Sequence, residues 1–194
     1  SIRQKLAVNG ALNMPEGYTA LVSLPTGGGK SLITQTMAYQ KKDGLTITVV
    51  PTVSLAMDQV RVAKDNIKVA MESEIACYYS DLSKEEKRSI IDRIKNRKLR
   101  LLFISPEALI KNEVFKQVID VANDSGYLRN LIIDEAHIVI EWGNFFRVDY
   151  QCLEPWRNNL YEKNSKLKTV LLSATYEKNT VKILGKFYSY KKYQ

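Results

Sequence analysis

The sequence predicts an α/β domain in which a parallel sheet is covered by helices on both faces. Three observations predict it. Short apolar runs alternate with amphipathic stretches along the chain, the pattern of repeated βαβ units. The runs are apolar at nearly every position rather than every second one, as strands buried on both faces must be. The polar clusters Thr26 to Ser31, Thr52, Ser105, Asp134-Glu135 and Ser173 to Thr175 fall where those runs end, the edge at which parallel α/β sheets bind ligands.

The elements follow in order. Thr19 to Leu24 reads as a strand, then come a glycine turn and a helix from near Gly29 towards Tyr39. Leu45 to Val50 is a second strand, rich in β-branched residues; Pro51 ends it and a helix covers Ser54 to Lys64. Ile75 to Tyr79 is a weaker strand. Ser83-Lys-Glu-Glu86 has the form of a capping box opening a helix to about Asn96, the Ser accepting from the helix while the Glu reaches back. Leu101 to Ser105 is a strand and Asn112 to Ala122 a helix. Leu131 to Asp134 and Thr169 to Ser173 are strands, and Asn179 to Gln194 forms a helix with a Lys/Tyr-rich exit.

A chain of 194 residues suits one such domain, so residues 1–194 are expected to form a single unit. No run of 18 apolar residues occurs, which argues against a membrane span, and Ser1 to Lys5 has no apolar signal core. Cys77 and Cys152 lack metal-ligand spacing and read as reduced thiols of a cytosolic protein. The 29 Lys and Arg exceed the 21 Asp and Glu, for a net charge of +8. That excess suits a polyanionic partner, although the local runs Lys95 to Arg100 and Lys191-Lys192 read as solvated faces.

Pro25-Thr-Gly-Gly-Gly-Lys-Ser31 follows a strand and opens a helix. Gly27, Gly28 and Gly29 let the backbone wrap an anion with its N–H groups pointing inward, and the helix N-terminus adds its positive end. Lys30 offers a cation to the β- and γ-phosphates of ATP, and Ser31 a hydroxyl to Mg²⁺. Leu24 stands where the strict phosphate-loop pattern has glycine. Asp134 and Glu135 end an apolar strand 104 residues after Lys30. One carboxylate can hold Mg²⁺ and the other can orient and deprotonate the attacking water. The lone histidine, His137, adjoins them and is read as a γ-phosphate or coupling contact rather than a metal ligand.

Taken together, Thr26 to Ser31, Asp134-Glu-Ala-His137 and Ser173-Ala-Thr175 resemble motifs I, II and III of superfamily 2 helicases, whose first domain is a RecA-like P-loop fold. In that family the first position of motif I is often not glycine. The resemblance extends to the RecQ type. Pro25 to Ser31 has its motif I form, Ser54-Leu55 with Asp58-Gln59-Val60 is similar to motif Ia, and Ile104-Ser-Pro-Glu107 to motif Ib. Glu141-Trp-Gly-Asn-Phe-Phe-Arg147 with Tyr150 resembles the aromatic-rich loop after motif II, with Glu141, Phe145 and Val148 departing from its usual residues.

This resemblance implies roles. Lys30, Ser31, Asp134 and Glu135 would serve ATP–Mg²⁺ binding and water activation, and Gln4 would read adenine. Thr52 and Ser54 would face nucleic acid, and Ser173 and Thr175 would link nucleotide state to domain movement. Trp142, Phe146 and Arg147 would sense single-stranded DNA, aromatic faces stacking on bases and Arg pairing with phosphate. The bland alternative has Trp142, Phe145 and Phe146 packing the loop against the core, Phe145 above all. The resemblance further implies a fragment of a longer cytoplasmic or nuclear, non-secreted protein. A second RecA-like domain would supply arginine fingers, so the isolated domain would bind nucleotide but turn it over slowly. The leading expectation is a 3′–5′ ATP-driven DNA translocase. An ATP-switched sensing module and a DEAH-type RNA helicase domain are the alternatives.

Overall fold

The computed structural model of the chain describes residues 1–68 and 72–188. Six strands form one sheet: β1 (Thr19–Ser23), β2 (Leu45–Val49), β3 (Ile75–Tyr78), β4 (Leu101–Ile104), β5 (Leu128–Ile133) and β6 (Lys168–Ser173). Their order is β1-β6-β5-β2-β4-β3 and each neighbouring pair is parallel. Eight α-helices connect and flank them: α1 (Ile2–Asn13), α2 (Lys30–Tyr39), α3 (Val53–Asn66), α4 (Lys84–Lys95), α5 (Pro106–Ile110), α6 (Glu113–Asp124), α7 (Arg147–Lys163) and α8 (Lys178–Tyr188).

The pleat sends alternate side chains to opposite faces. Leu102, Ile104, Leu131 and Ile133 join the core under α4 to α8. Leu101 and Phe103 instead meet α3, while Ile132 and Val170 meet α1 and α2. Both faces are therefore covered, and β2 and β4 are buried at every position.

All six apolar runs are strands, and the Ser83–Glu86 capping box starts α4 with both reciprocal bonds formed. Three helices fall outside the segments read as helical. α1 is capped by Ser1, whose hydroxyl accepts from Gln4 N while the Gln4 side chain returns the bond. α5 has Ser105 as its cap and Pro106 in its first turn, a position where proline's fixed φ and missing N–H cost nothing. α7 takes Arg147 and Tyr150 out of the presumed loop and into a helix. Lys191 and Lys192 lie outside the described residues, as does the end of the segment read as helical to Gln194.

The Lys95–Arg100 run is not simply a solvated face. Leu99 is buried, and Arg100 lies over the Tyr39 ring, 4.2 Å from its centroid.

Candidate functional site

Because every strand is parallel, the segments after β1, β2, β5 and β6 emerge at one edge. The turn after β1 is built on glycine conformations: Gly27 has φ +75° and Gly29 φ +91°, left-handed values that carry a steric penalty for other residues. A side chain on Gly28 would meet Pro25 O at 2.7 Å, and one on Gly29 would meet Gln4 Nε2 at 1.8 Å. The second contact places the Gln4 amide directly against the phosphate-loop turn. α2 then begins at Lys30, its amides opening towards the turn.

The glycine turn follows β1, and Asp134 and Glu135 follow β5. The strands are not neighbours, however: β6 lies between β1 and β5, so Ser173 sits between the glycine turn and the acids. Lys30 crosses that gap. Its Nζ lies 2.6 Å from Glu135 Oε1 and 3.4 Å from Asp134 Oδ1. The three side chains are 14%, 28% and 17% exposed, in the order Lys30, Glu135, Asp134. Burial works against the charge on Lys30, but the bond to Glu135 and the Asp134 charge outweigh it, leaving its pKa above the ordinary lysine value. Asp134 behaves oppositely. Burial pushes its carboxyl pKa up, and Lys30 only partly offsets burial and the Glu135 charge. The two shifts are compatible because Lys30 gives its shortest contact to Glu135.

Glu135 has φ +52° and ψ +41°, a left-handed conformation that costs a non-glycine residue about 1–2 kcal/mol. The sharp turn lets two consecutive carboxylates serve one cation. Its amide donates to Asp134 Oδ1 at 2.9 Å. The Tyr150 hydroxyl donates to the Asp134 carbonyl at 2.7 Å, and burial holds that hydroxyl far above its usual pKa, so it remains a donor.

His137 joins the acids to β6. Its Nδ1 lies 2.6 Å from Ser173 Oγ, while Nε2 faces Glu141 Oε1 at 3.2 Å and Glu135 Oε2 at 3.5 Å. Two acceptors around Nε2 require a proton there. Ser173 Oγ also lies 2.7 Å from Thr175 O. Its single proton can go to His137 or to Thr175, and the serine is thus a two-way donor.

Thr52 caps α3, its hydroxyl accepting from Leu55 N, and Ser54, two residues on, is exposed in the same first turn. Neither touches the Lys30 cluster, though Asp134 N donates to Val49 O of neighbouring β2. Trp142 is 86% exposed and Phe145 87%, which overturns the packing reading for both. Phe146 is half-buried against the core. The Arg147 guanidinium stacks over Trp142 at 3.9 Å, and its Nε donates to Val139 O. Arg147 thus lies against one side of an otherwise exposed indole.

Sequence reasoning gave no contact to Glu141 and overlooked Tyr176. Glu141 lies four residues after His137, a spacing that a helical turn brings together. The Tyr176 hydroxyl is buried with no partner among the described residues, and burial and the two acids raise its pKa. Following Ser173-Ala-Thr175 directly was its only signal.

Residues 2–183 match the DEAD/DEAH box helicase family. The chain belongs to that family. It is 33% identical over 156 residues to an ATP-dependent DNA helicase RecQ from Synechocystis, a match covering 80% of this chain and 30% of that protein. It is 38% identical over 152 residues to the ATP-dependent helicase SGS1 of Saccharomyces cerevisiae, covering 76% of this chain and 10% of that one. This helicase domain thus spans under a third of those relatives. A hypothetical ATP-dependent RNA helicase from Sulfolobus tokodaii superposes with a TM-score of 0.69 at 21% identity, over 98% of this chain and 51% of that one. That likeness shows the fold: a RecA-like helicase domain with helices on both faces of a parallel sheet. No described helix is long and apolar enough to cross a membrane, and Cys77 and Cys152 are free thiols.

Proposed function

We propose that this chain is the nucleotide-binding motor domain of a RecQ-type, ATP-dependent DNA helicase moving 3′ to 5′, cytoplasmic or nuclear. The observation that carries the reading is the meeting of Lys30, Asp134 and Glu135 at the mouth of the glycine turn. Gly27 to Ser31 would present backbone amides to the phosphates of ATP, and Gln4, whose amide lies against Gly29, would read the base. Among the described residues no three His, Cys, Asp or Glu side chains gather as a cation cage. A Mg²⁺ ion here would rely on phosphate oxygens, Ser31, Asp134 and water, its common mode. When bound, such an ion would neutralise charge on the phosphates.

Lys30 has to exchange its carboxylate partners for the β- and γ-phosphates. That exchange frees Asp134 for the metal and Glu135 for the attacking water. His137 and Ser173 then register the change: movement of Glu135 alters what surrounds His137 Nε2, and the Ser173 proton can switch between His137 and Thr175. Trp142 and Arg147 present a stacking face to single-stranded DNA, between the short helical turn Ala136–Ile140 that carries His137 and the start of α7. A second RecA-like domain of a longer protein completes the cleft.

Nucleotide binding and strand-stimulated hydrolysis test the reading. Lys30→Ala abolishes ATP uptake, and Glu135→Gln retains uptake while hydrolysis falls about 100- to 10,000-fold, the range of a general base. Stimulation by DNA but not RNA, lost in Trp142→Ala, separates this reading from an RNA helicase. Strand displacement coupled to hydrolysis in the longer protein separates it from a sensing module.

A further inference from the structure

The edge at which the strands begin, opposite the acidic pair, holds a cavity of its own. It measures about 70 Å³, several times the ~10–15 Å³ that one water needs, which is room for an ion and not for a nucleoside. Lys41, Arg129, Lys166 and Lys168 line it, with Glu16 and Asp43 as the acids. Both acids are already engaged: Glu16 with Lys41 at 3.3 Å, and Asp43 with Arg129 Nη2 at 3.0 Å. Lys166 and Lys168 form no ion pair among the described residues, and their charges reach Glu16 only from farther off. Lys168 Nζ has one carbonyl, Leu12 O, at 3.4 Å. Burial and the nearby Lys41 charge press its ammonium towards neutrality. Arg129 Nε is buried with no acceptor, because its side chain lies across Gly44.

We propose that this cavity binds a phosphate group, free or in the backbone of a nucleic-acid strand. Lys166 is exposed, but the Lys168 ammonium is partly desolvated and unpaired, a cost that an anion relieves. A phosphate's several acceptor oxygens suit the Lys166 and Lys168 ammoniums and the Arg129 guanidinium, which the starts of β5 and β6 and the turn before β6 bring to one cavity. The site lies at the sheet edge away from the glycine turn, so both can be filled at once.

The test uses the chain with its nucleotide site saturated by ADP, titrated calorimetrically with inorganic pyrophosphate. Pyrophosphate binds, and Lys166→Gln/Lys168→Gln weakens it about 100-fold, roughly tenfold for each charged hydrogen bond lost. ADP affinity and melting temperature stay at wild-type values. Lys41→Gln, at an ammonium already paired with Glu16, weakens binding in the same direction but less. Lys95→Gln/Lys98→Gln, on the same edge but outside the cavity, leaves it unchanged. A short single strand that displaces pyrophosphate and loses affinity in the first double variant alone assigns the phosphate to a backbone; a strand that does not displace it assigns a free anion. Absence of pyrophosphate binding to the ADP-saturated chain, or equal affinity in Lys166→Gln/Lys168→Gln, overturns the proposal.

Discussion

The clamp on Lys30 makes a quantitative demand on nucleotide binding. Glu135 holds Lys30 at 2.6 Å, with less than a third of either side chain exposed. An incoming triphosphate must break that contact. Removing one partner of a fully buried pair costs about 3–5 kcal/mol, and surface pairs are worth about 0–1 kcal/mol. This pair, mostly but not fully covered, falls between, at roughly 1–2 kcal/mol. Glu135→Gln removes the competing charge and leaves Lys30 with the weaker contact to Asp134 at 3.4 Å. Affinity for ATP therefore rises about 5- to 30-fold, although a residue of the site has been altered. Equilibrium titration with a fluorescent ATP analogue, at fixed Mg²⁺, measures it. Unchanged or weakened affinity in Glu135→Gln would refute the reasoning, since it would mean that Lys30 is not held back by its carboxylate.

Three further outcomes are expected. Asp134→Asn melts higher than wild type at neutral pH without nucleotide. A carboxyl whose folded pKa is raised contributes stability below its unfolded value of about 4 and loses it as pH rises through the folded value. The difference in melting temperature therefore closes as pH falls below about 4, and a lower melting point for Asp134→Asn at pH 7 contradicts this. Trp142→Ala, at an 86% exposed position, changes unfolding free energy by less than about 0.5 kcal/mol yet weakens single-strand binding by about 1–3 kcal/mol; anisotropy and chemical denaturation measure the two, and a stability loss with intact binding reverses the assignment. Gly29→Ala forces a side chain onto Gln4 Nε2 at φ +91°, so it lowers both stability, by about 1–2 kcal/mol, and preference for ATP over GTP; unchanged base preference would separate Gln4 from base reading.

The strands were legible because burial on both faces leaves only apolar residues between polar ends, as in Leu101 to Ile104. The place of the candidate site was legible for the same reason, since Asp134 and Ser173 stand where those runs stop. α7 was hidden by its own contents. Its buried stripe is Tyr150, Leu153, Arg157, Leu160 and Tyr161, a helical period broken in the middle by a charge. Arg157 is 1% exposed and bonded to Thr19, Thr169 and Tyr188 O, an arrangement only the fold reveals. Pro155, inside the same helix, normally argues against one. α1 and α5 carried readable signals, Ser1 with Gln4 and Ser105 with Pro106, but each lay within residues already assigned another meaning. The insertion of β6 between the glycine turn and the acids depends on strand order, which the spacing of motifs does not encode.

Convergence of the glycine turn and the acidic pair on one ATP–Mg²⁺ is the claim on which the rest depends. Calorimetric titration of the chain with ATP, with and without Mg²⁺, tests it most directly when Lys30→Ala and Asp134→Asn are measured alongside. The account predicts one saturable site in the wild type, no uptake by Lys30→Ala, and binding by Asp134→Asn that no longer responds to Mg²⁺. Undiminished uptake by Lys30→Ala, or an unaltered Mg²⁺ response in Asp134→Asn, would contradict it.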